Sequence, residues 1–407
     1  MSNPTVLSAL DGLLKRNYGD EFITQQQTDD DFIMTLPKAK DQPQGEDAAF
    51  RPGIRIQRRQ NVGAQNQNES FRTNRSGVRK QFTINAKINV AAIEVTGFLI
   101  ALAKNPDAAF ISGLDDEMED AHAMLKKDEN RQAFGDGKGV LALVNGALVA
   151  STALVVDTPG VQYFFPGERI DIYTAGGVAE ALDVEITAID ESTNTLTTGT
   201  AITVSNDSKI YRQGVKANEP SDGKEMMGLA GIADDGSNVS TFQGLSRTSY
   251  DILKGSLVDV NGAQITSDLL QRAIDKGERR SGRVVDTMIS HRNQRRQYLN
   301  LVTPLKRFNG ADAKLDAGFR KGSLDWNGIE WRVSHDCQRN RVYAWKEGMI
   351  KRYETYAMKL DDTEGSTIHR IGGTDTFESY YKHYATIGST HPASVVCLDD
   401  LAIASDA

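Results

Sequence analysis

The sequence predicts an α+β protein of several parts, and three observations carry that expectation. A long run of helical periodicity follows a long strand-and-turn excursion, a block of short alternating strands interrupts the middle, and mixed helix and strand texture fills the rest. At 407 residues, with 39% hydrophobic and 25% charged residues, the chain can bury two or three ordinary cores. The apolar runs 90–103 and 140–156 are broken by Glu94, Thr96, Gly97, Asn145 and Gly146 and are too short or too polar to cross a bilayer. No basic leader with a small-residue cleavage site precedes "MSNPTVLSALDGLLKRN", so the expected place of synthesis and residence is the cytosol.

Residues 1–49 are polar and Gln/Asp-rich and read as an arm with one short helix near Val6 to Lys15. Next, "FRPGIRIQRR" and "QFTINAKINV" flank "QNVGAQNQNES", a middle made of turn and amide residues, which gives a very long hairpin over 50–90. In its second flank Phe82, Ile84, Ala86, Ile88 and Val90 alternate with polar residues, the pattern of a half-buried strand. An excursion of that length with so few large apolar residues has no core of its own and needs cover from another molecule.

From "NPDA" onward Phe110, Leu114, Met118, Ala121 and Leu125 recur at intervals of three and four, predicting one helix from about Asp107 to Arg131, roughly 37 Å long. The glycines of "NRQAFGDGKGV" follow this helix. A phosphate cradle needs them between a strand and a helix N-terminus, where free N–H groups point at the anion. Gly135 and Gly137 are therefore expected to supply the left-handed conformation that ends the helix. Over 165–214, "ERIDIYT", "ALDVEITAID", "NTLTTGTAITV" and "SKIYRQG" predict an inserted small β-barrel able to fold by itself. Beyond it, "SDLLQRAIDKGERRSG" is a helix with Leu269, Leu270, Ala273 and Ile274 on one face, "VVDTMIS" a buried strand and "HRNQRRQYLNLV" a second helix. Strands then return through "GIEWRVSHD", "RVYAWK", "MIKRYE", "DTFESYYKHYATIGST" and "PASVVCLDDLA".

Little of this is chemistry. Cys337 and Cys397 lie 60 residues apart and fit no metal-ligand spacing, the six histidines are scattered singly, and no HExxH occurs, so no metal or cofactor is expected. Cys397, within "SVVCLDD", reads as an inert core thiol. A hydrolase built on His335, Asp336 and Cys337 fails because neighbours in "SHDCQRN" cannot easily hold thiol and imidazole at bonding distance. Charge is more informative than the net value of −8. Eight basic residues occupy 51–80 (Arg51, Arg55, Arg58, Arg59, Arg72, Arg75, Arg79, Lys80) against one acid, Glu69, while "LDDEMED" at 114–120 holds five acids and no base. Aromatic residues near the basic run are limited to Phe50 and Phe71, too few for a stacking nucleic-acid surface.

The order of these elements resembles the major capsid protein of a tailed bacteriophage, with the Hong Kong 97 type of fold. The resemblance rests on the polar N-arm, the basic hairpin (the family's extended loop) and the acidic helix (its spine) ending in "ENRQAFGDGKG". It continues through "SRTSYDIL", "LLQRAIDKGERRSGRVVDTMIS" and the closing "IHRIGGTDTFESYYKHYATIGSTHPASVVCLDDLA", so that it spans roughly 40–402 apart from the inserted barrel. It implies an N-arm at 1–49, an extended loop at 50–90, a peripheral domain with the spine helix at 91–164, the barrel at 165–214, an axial domain at 215–345 and closing peripheral strands at 346–407. It also implies a function: a structural virion protein, not an enzyme, that self-assembles as pentamers and hexamers into an icosahedral head enclosing double-stranded DNA. The partners implied are further copies of the chain, a separate scaffolding protein, a portal protein and DNA bound on the inner face without sequence specificity. A decoration protein has room, and no membrane is involved. Assembly would take place in the host cytoplasm. Some relatives crosslink an extended-loop Lys to Asn, but no Lys lies between Lys40 and Lys80, so no linked shell is expected. The same fold builds encapsulin-like bacterial compartments, the alternative reading. From the charge pattern, Arg55, Arg58, Arg59 and Arg72 are expected to meet Asp115, Asp116, Glu117, Glu119 and Asp120 of the next subunit.

Overall fold

The computed structural model describes residues 32–57, 59, 62–70, 77–98, 111–157, 160–216, 224–302, 324–361, 367 and 369–404. The helix expected near Val6 to Lys15 lies outside these residues. The described chain divides into two compact units, one formed by 32–35, 86–131 and 354–385, the other by 36–85, 132–353 and 386–404.

The first unit joins a helix to an antiparallel sheet. Strand Thr376–Ser389 pairs with Lys87–Thr96, in register from Thr376↔Thr96 to Ala385↔Lys87, and also with Ile350–Leu360 and His369–Arg370. Helix Ile111–Phe134 begins within the predicted span and runs three residues past its expected end. Its Met118 and Ala121 pack with Tyr381 against buried Ile93 and Val95, and the His122 ring lies 5.3 Å from that of Tyr381. The strand's inward row is therefore Asn89, Ile93 and Val95, whereas Ile88 and Val90 are 66% and 46% exposed. This corrects the alternation expected from Phe82 through Val90. Phe82 and Ile84 belong to the second unit, where Phe82 meets Phe242 edge-on at 5.5 Å, and the pleat restarts at Lys87 in a different sheet.

Asn89 faces inward because it has a charged partner. Its amide donates to Glu129 Oε1 at 3.0 Å, and His383 Nδ1 stands 2.7 Å from both Glu129 oxygens, with its Nε2 3.5 Å from Glu354 Oε1. Glu129 and His383 are fully buried. Helix and three strands thus converge on one polar knot, where removing a single member leaves a buried polar group of another without its partner.

The second unit contains a mixed six-stranded sheet in the order Ser256–Asp259, Val396–Asp399, Val342–Trp345, Thr287–Ser290, Ile329–Val333, Leu324–Trp326. Thr287–Ser290 and Val342–Trp345 are buried at every position, as suits strands covered on both faces. Helix Ser267–Ser281 starts where the Thr266 side chain accepts from Leu269 N and ends at Gly282, φ 66°. It buries Leu270, Ala273, Ile274 and Gly277, with Leu269 half-buried. A Cβ on Gly277 would stand 2.2 Å from Val396 Cγ2, so glycine is what lets the helix approach the strand. Helix Arg292–Val302 packs through Tyr298, 5.2 Å from the Trp331 ring.

A separate sheet has the order Ala142–Leu143, Lys209–Arg212, Arg169–Tyr173, Ala179–Asp190, Thr195–Val204, Leu148–Val155, and the bridge Val144↔Val156 links its two ends. Each of the four runs expected as strands forms one. The boundaries 165–214, however, omit two strands and the buried Leu141, Val144, Leu154 and Val156, which pack with Ile170, Ile186, Leu196 and Ile210 in one core. The run 140–156 escaped notice as strand because its apolar residues are nearly continuous and only "NG" marks the turn.

Where the long helix ends, Gly137 (φ 87°) and Gly139 (φ 78°) take the left-handed region. Gly135 does not, which corrects the expectation for that residue. Its N–H still bonds Gln132 O at 2.9 Å, so the chain leaves the helix through a further turn before it reverses. The buried Phe134 carbonyl, left without a helical partner, is capped from afar: Gln338 Nε2 donates to it at 2.8 Å while Gln338 Oε1 accepts from Tyr343 Oη at 2.9 Å. The same loop receives Tyr163 Oη on Asp336 O and Gln162 Nε2 on Cys337 O, tying the separate sheet to the mixed one. Arg341 holds Asp399 through two bonds of 2.6 and 3.0 Å.

Arg247 is fully buried and donates to the carbonyls of Gly231, Ile232, Val239 and Leu253, with Asp234 at 3.4 Å. Burial lowers its pKa to about 10 against the opposing pull of Asp234 and Asp235, so it stays charged at neutral pH. Replacing Arg247 with Leu leaves Asp234 buried without its ion-pair partner and should cost about 3–5 kcal/mol, measured by chemical denaturation of the unassembled chain. A midpoint within error of the parent would contradict this account. A fragment spanning 140–216 should give a dispersed amide spectrum and one spanning 165–214 a collapsed one, since the shorter piece lacks two of six strands.

Candidate assembly surfaces

The basic hairpin forms where expected at its base. Gly53–Arg55 pairs antiparallel with Arg79–Gln81, and the register sets Arg55 directly opposite Arg79 and Ile54 opposite Lys80. Like charges across a ladder repel. Arg51 is neutralised by Asp47 at 2.9 Å, yet among the described residues no carboxylate stands within ion-pair distance of Arg55, Arg59, Arg79 or Lys80. Arg55, Arg59 and Arg79 line an open concavity of about 350 Å³ with Gly77. This is a cationic ribbon that its own surroundings leave unbalanced. Arg58 and Arg72 lie outside the described residues.

The acidic run lies within helix Ile111–Phe134, where Glu119 and Asp120 are exposed and Glu117, beside Met118 of the packed seam, is half-buried. The side chains of Asp115 and Asp116 are outside the described set. Ribbon and acidic run belong to different units of the chain. Sequence reading did not place Arg79 and Lys80 opposite Arg55 and Ile54, and it missed the Glu129–His383 knot, whose members lie 254 residues apart.

The Cys337 region is structural. Cys337 and Cys397 are both buried free thiols, and burial pushes Cys397 up to about 12. The His335 ring lies tilted beside that of His291, centroids 5.7 Å apart. Both thiols are buried and burial disfavours the Cys397 thiolate, so native protein should resist iodoacetamide at pH 8 and react only after denaturation. Stoichiometric alkylation of folded protein would refute that burial. Among the described residues no group of three His, Cys, Asp or Glu side chains is placed to hold a metal ion, and no helix is long and apolar enough to cross a membrane.

No protein-family model matches the sequence, and no curated protein matches it. Structural similarity is extensive. The capsid asymmetric unit of cyanophage A-1(L) superposes with a TM-score of 0.58 at 11% identity, covering 97% of this chain and 99% of that one. The capsid of a native GTA particle gives 0.50 at 10% identity, covering 98% and 100%. The encapsulin of the holo-SrpI complex from Synechococcus elongatus reaches only 0.47 at 7% identity, covering 99% and 98%. The fold is that of phage capsid proteins, over essentially the whole length of the chain.

Proposed function

We propose that this protein is the major capsid protein of a tailed bacteriophage, a structural shell component and not an enzyme. The observation that carries the reading is the end-to-end correspondence with the cyanophage capsid chain, 97% of one against 99% of the other, because a shared sub-fold would leave one chain partly unmatched. In this reading copies assemble as pentamers and hexamers into an icosahedral head around double-stranded DNA. A scaffolding protein and a portal protein act as partners, and a decoration protein could bind outside. Residues 1–49 serve as the N-arm and 50–90 as the extended loop. The peripheral region is 91–164 with 346–407, the axial domain 215–345, and the barrel is inserted between them.

The charged surfaces support a specific contact. The ribbon of Arg55, Arg58, Arg59 and Arg72, joined by Arg79 across the ladder, meets Asp115, Asp116, Glu117, Glu119 and Asp120 of the next copy. Exposed pairs contribute about 0.2–1 kcal/mol each, so single reversals are tolerated and several together are not.

Negative-stain microscopy of the purified protein tests the function: closed shells or capsomers are expected, and small monomers under all assembly conditions would defeat it. Particles filled with an enzyme in place of DNA would redirect the reading to an encapsulin-like compartment. For the contact, Arg58→Glu with Arg59→Glu should abolish or weaken assembly of a folded chain, and adding Asp116→Lys with Glu119→Lys should partly restore it. Normal shells from the first double variant would dismiss the contact, and normal shells with less packaged DNA would move those arginines to the inner surface.

A further inference from the structure

The mixed sheet of the second unit ends on one side at Ser256–Asp259, whose neighbour among the described strands is Val396–Asp399. In that parallel pair Ser256 N donates to Val395 O and Val260 N to Asp399 O, so the main-chain groups of Ser256, Val258 and Val260 face the sheet. Those of Gly255, Leu257 and Asp259 face outward, because successive residues of a strand bond on alternate sides. Such a row is a template for a further strand. Its donors are open: among the described residues the N–H groups of Leu257 and Asp259 have no acceptor. Two of its acceptors are covered. Helix Ser267–Ser281 lays two cations along the row, with Lys276 Nζ donating to Leu257 O, and Arg280 donating to Gly255 O at 2.8 Å and to Asp251 O at 3.2 Å. Gly255 N is itself taken by Asp234 O at 2.8 Å, which closes that end. The two cations stand four residues apart on one helix, where like charges repel. Burial lowers the Lys276 pKa, Arg280 lowers it further, and Asp235 opposes both. An arrangement that runs against local electrostatics points to a use for the charge at this edge.

We propose that Lys276 guards this edge against pairing with the same edge of a second copy of the chain. Antiparallel pairing about a two-fold axis through Val258 sets Leu257 of one copy opposite Asp259 of the other. Each such pair exchanges two bonds, from Leu257 N–H to Asp259 O and from Asp259 N–H to Leu257 O. Val258 meets Val258, and no like charges lie opposite each other, so the side chains do not forbid the pairing. The acceptor it needs, Leu257 O, is the one that Lys276 occupies. A register shifted toward Gly255 is closed by Asp234 and Arg280. The second copy is the relevant partner because its edge is present at the concentration of the chain itself and rises with it as the chain self-associates. Strands of four residues make a small contact, well below the about 800 Å² per partner of a stable dimer, so an unguarded edge acts at high concentration. The inference concerns the unassembled chain and stands apart from the shell-forming reading.

Lys276→Met removes the charged cap and keeps the aliphatic stem, and Lys276→Ala is read in the same way should the Met variant not fold. Under conditions where the parent chain stays monomeric, sedimentation velocity of the variant should show a mass that rises with concentration toward that of a dimer. Adding Asp259→Pro deletes an outward N–H at an exposed edge position, which an edge strand tolerates, and should return the variant to the monomer. Lys276→Arg keeps a donor for Leu257 O and should sediment as the parent does. A folded Lys276→Met chain that stays monomeric at every concentration overturns the proposal. Association that Asp259→Pro leaves unchanged, or that Lys276→Arg shows equally, also overturns it, since lost packing and not an open edge would then be the cause. Shell formation by the parent chain enters none of these readouts, so failure of the capsid reading is told apart from failure of the guard.

Discussion

The second unit depends on one amide. Gln338, nine-tenths buried, donates to the Phe134 carbonyl and accepts from the Tyr343 hydroxyl. A helix end buried without a cap would leave carbonyls unsatisfied at a cost of about 1–3 kcal/mol each. Here the partner comes from a loop 204 residues further along the chain. Because that loop also receives Gln162 and Tyr163, and because Gln294 bonds the Arg339 carbonyl, four separate segments are fixed in place by neighbours of a single side chain. Tyr343 is fully buried, and burial holds its hydroxyl in the protonated form well above the ordinary range, so the donor to Gln338 persists at any physiological pH.

Charge is handled in three distinct ways. Inside, Arg247 is surrounded by four carbonyls and Asp234, an arrangement that specifies geometry, since a buried charge stabilises only when it is answered. On the hairpin, Arg55 and Arg79 face each other, both exposed and with no described acid within ion-pair distance, so solvent and salt screen their repulsion. On the strands Leu148–Val155 and Thr195–Val204 charge is absent.

Much of this was legible in the sequence. The long helix, the helix Ser267–Ser281 and the buried strand Thr287–Ser290 follow from local periodicity, which acts over a few residues. The order of such elements was enough to indicate the capsid fold at an identity too low for any sequence model to match. The segregation of basic and acidic residues was likewise plain, because composition needs no coordinates.

What the sequence could not decide were relations between distant positions. Alternation continues from Phe82 to Val90 in the text, but the pleat restarts between two sheets, and only the pairing of Lys87–Thr96 with Thr376–Ser389 turns Asn89 inward and Ile88 outward. The sheet beginning at Ala142 rather than Phe165 is decided by the bridge Val144↔Val156, a contact that no local pattern announces. Local sequence thus determined which elements form, because propensity and capping are short-range. Tertiary structure alone determined which face of each is buried, because burial depends on what the rest of the chain brings to it.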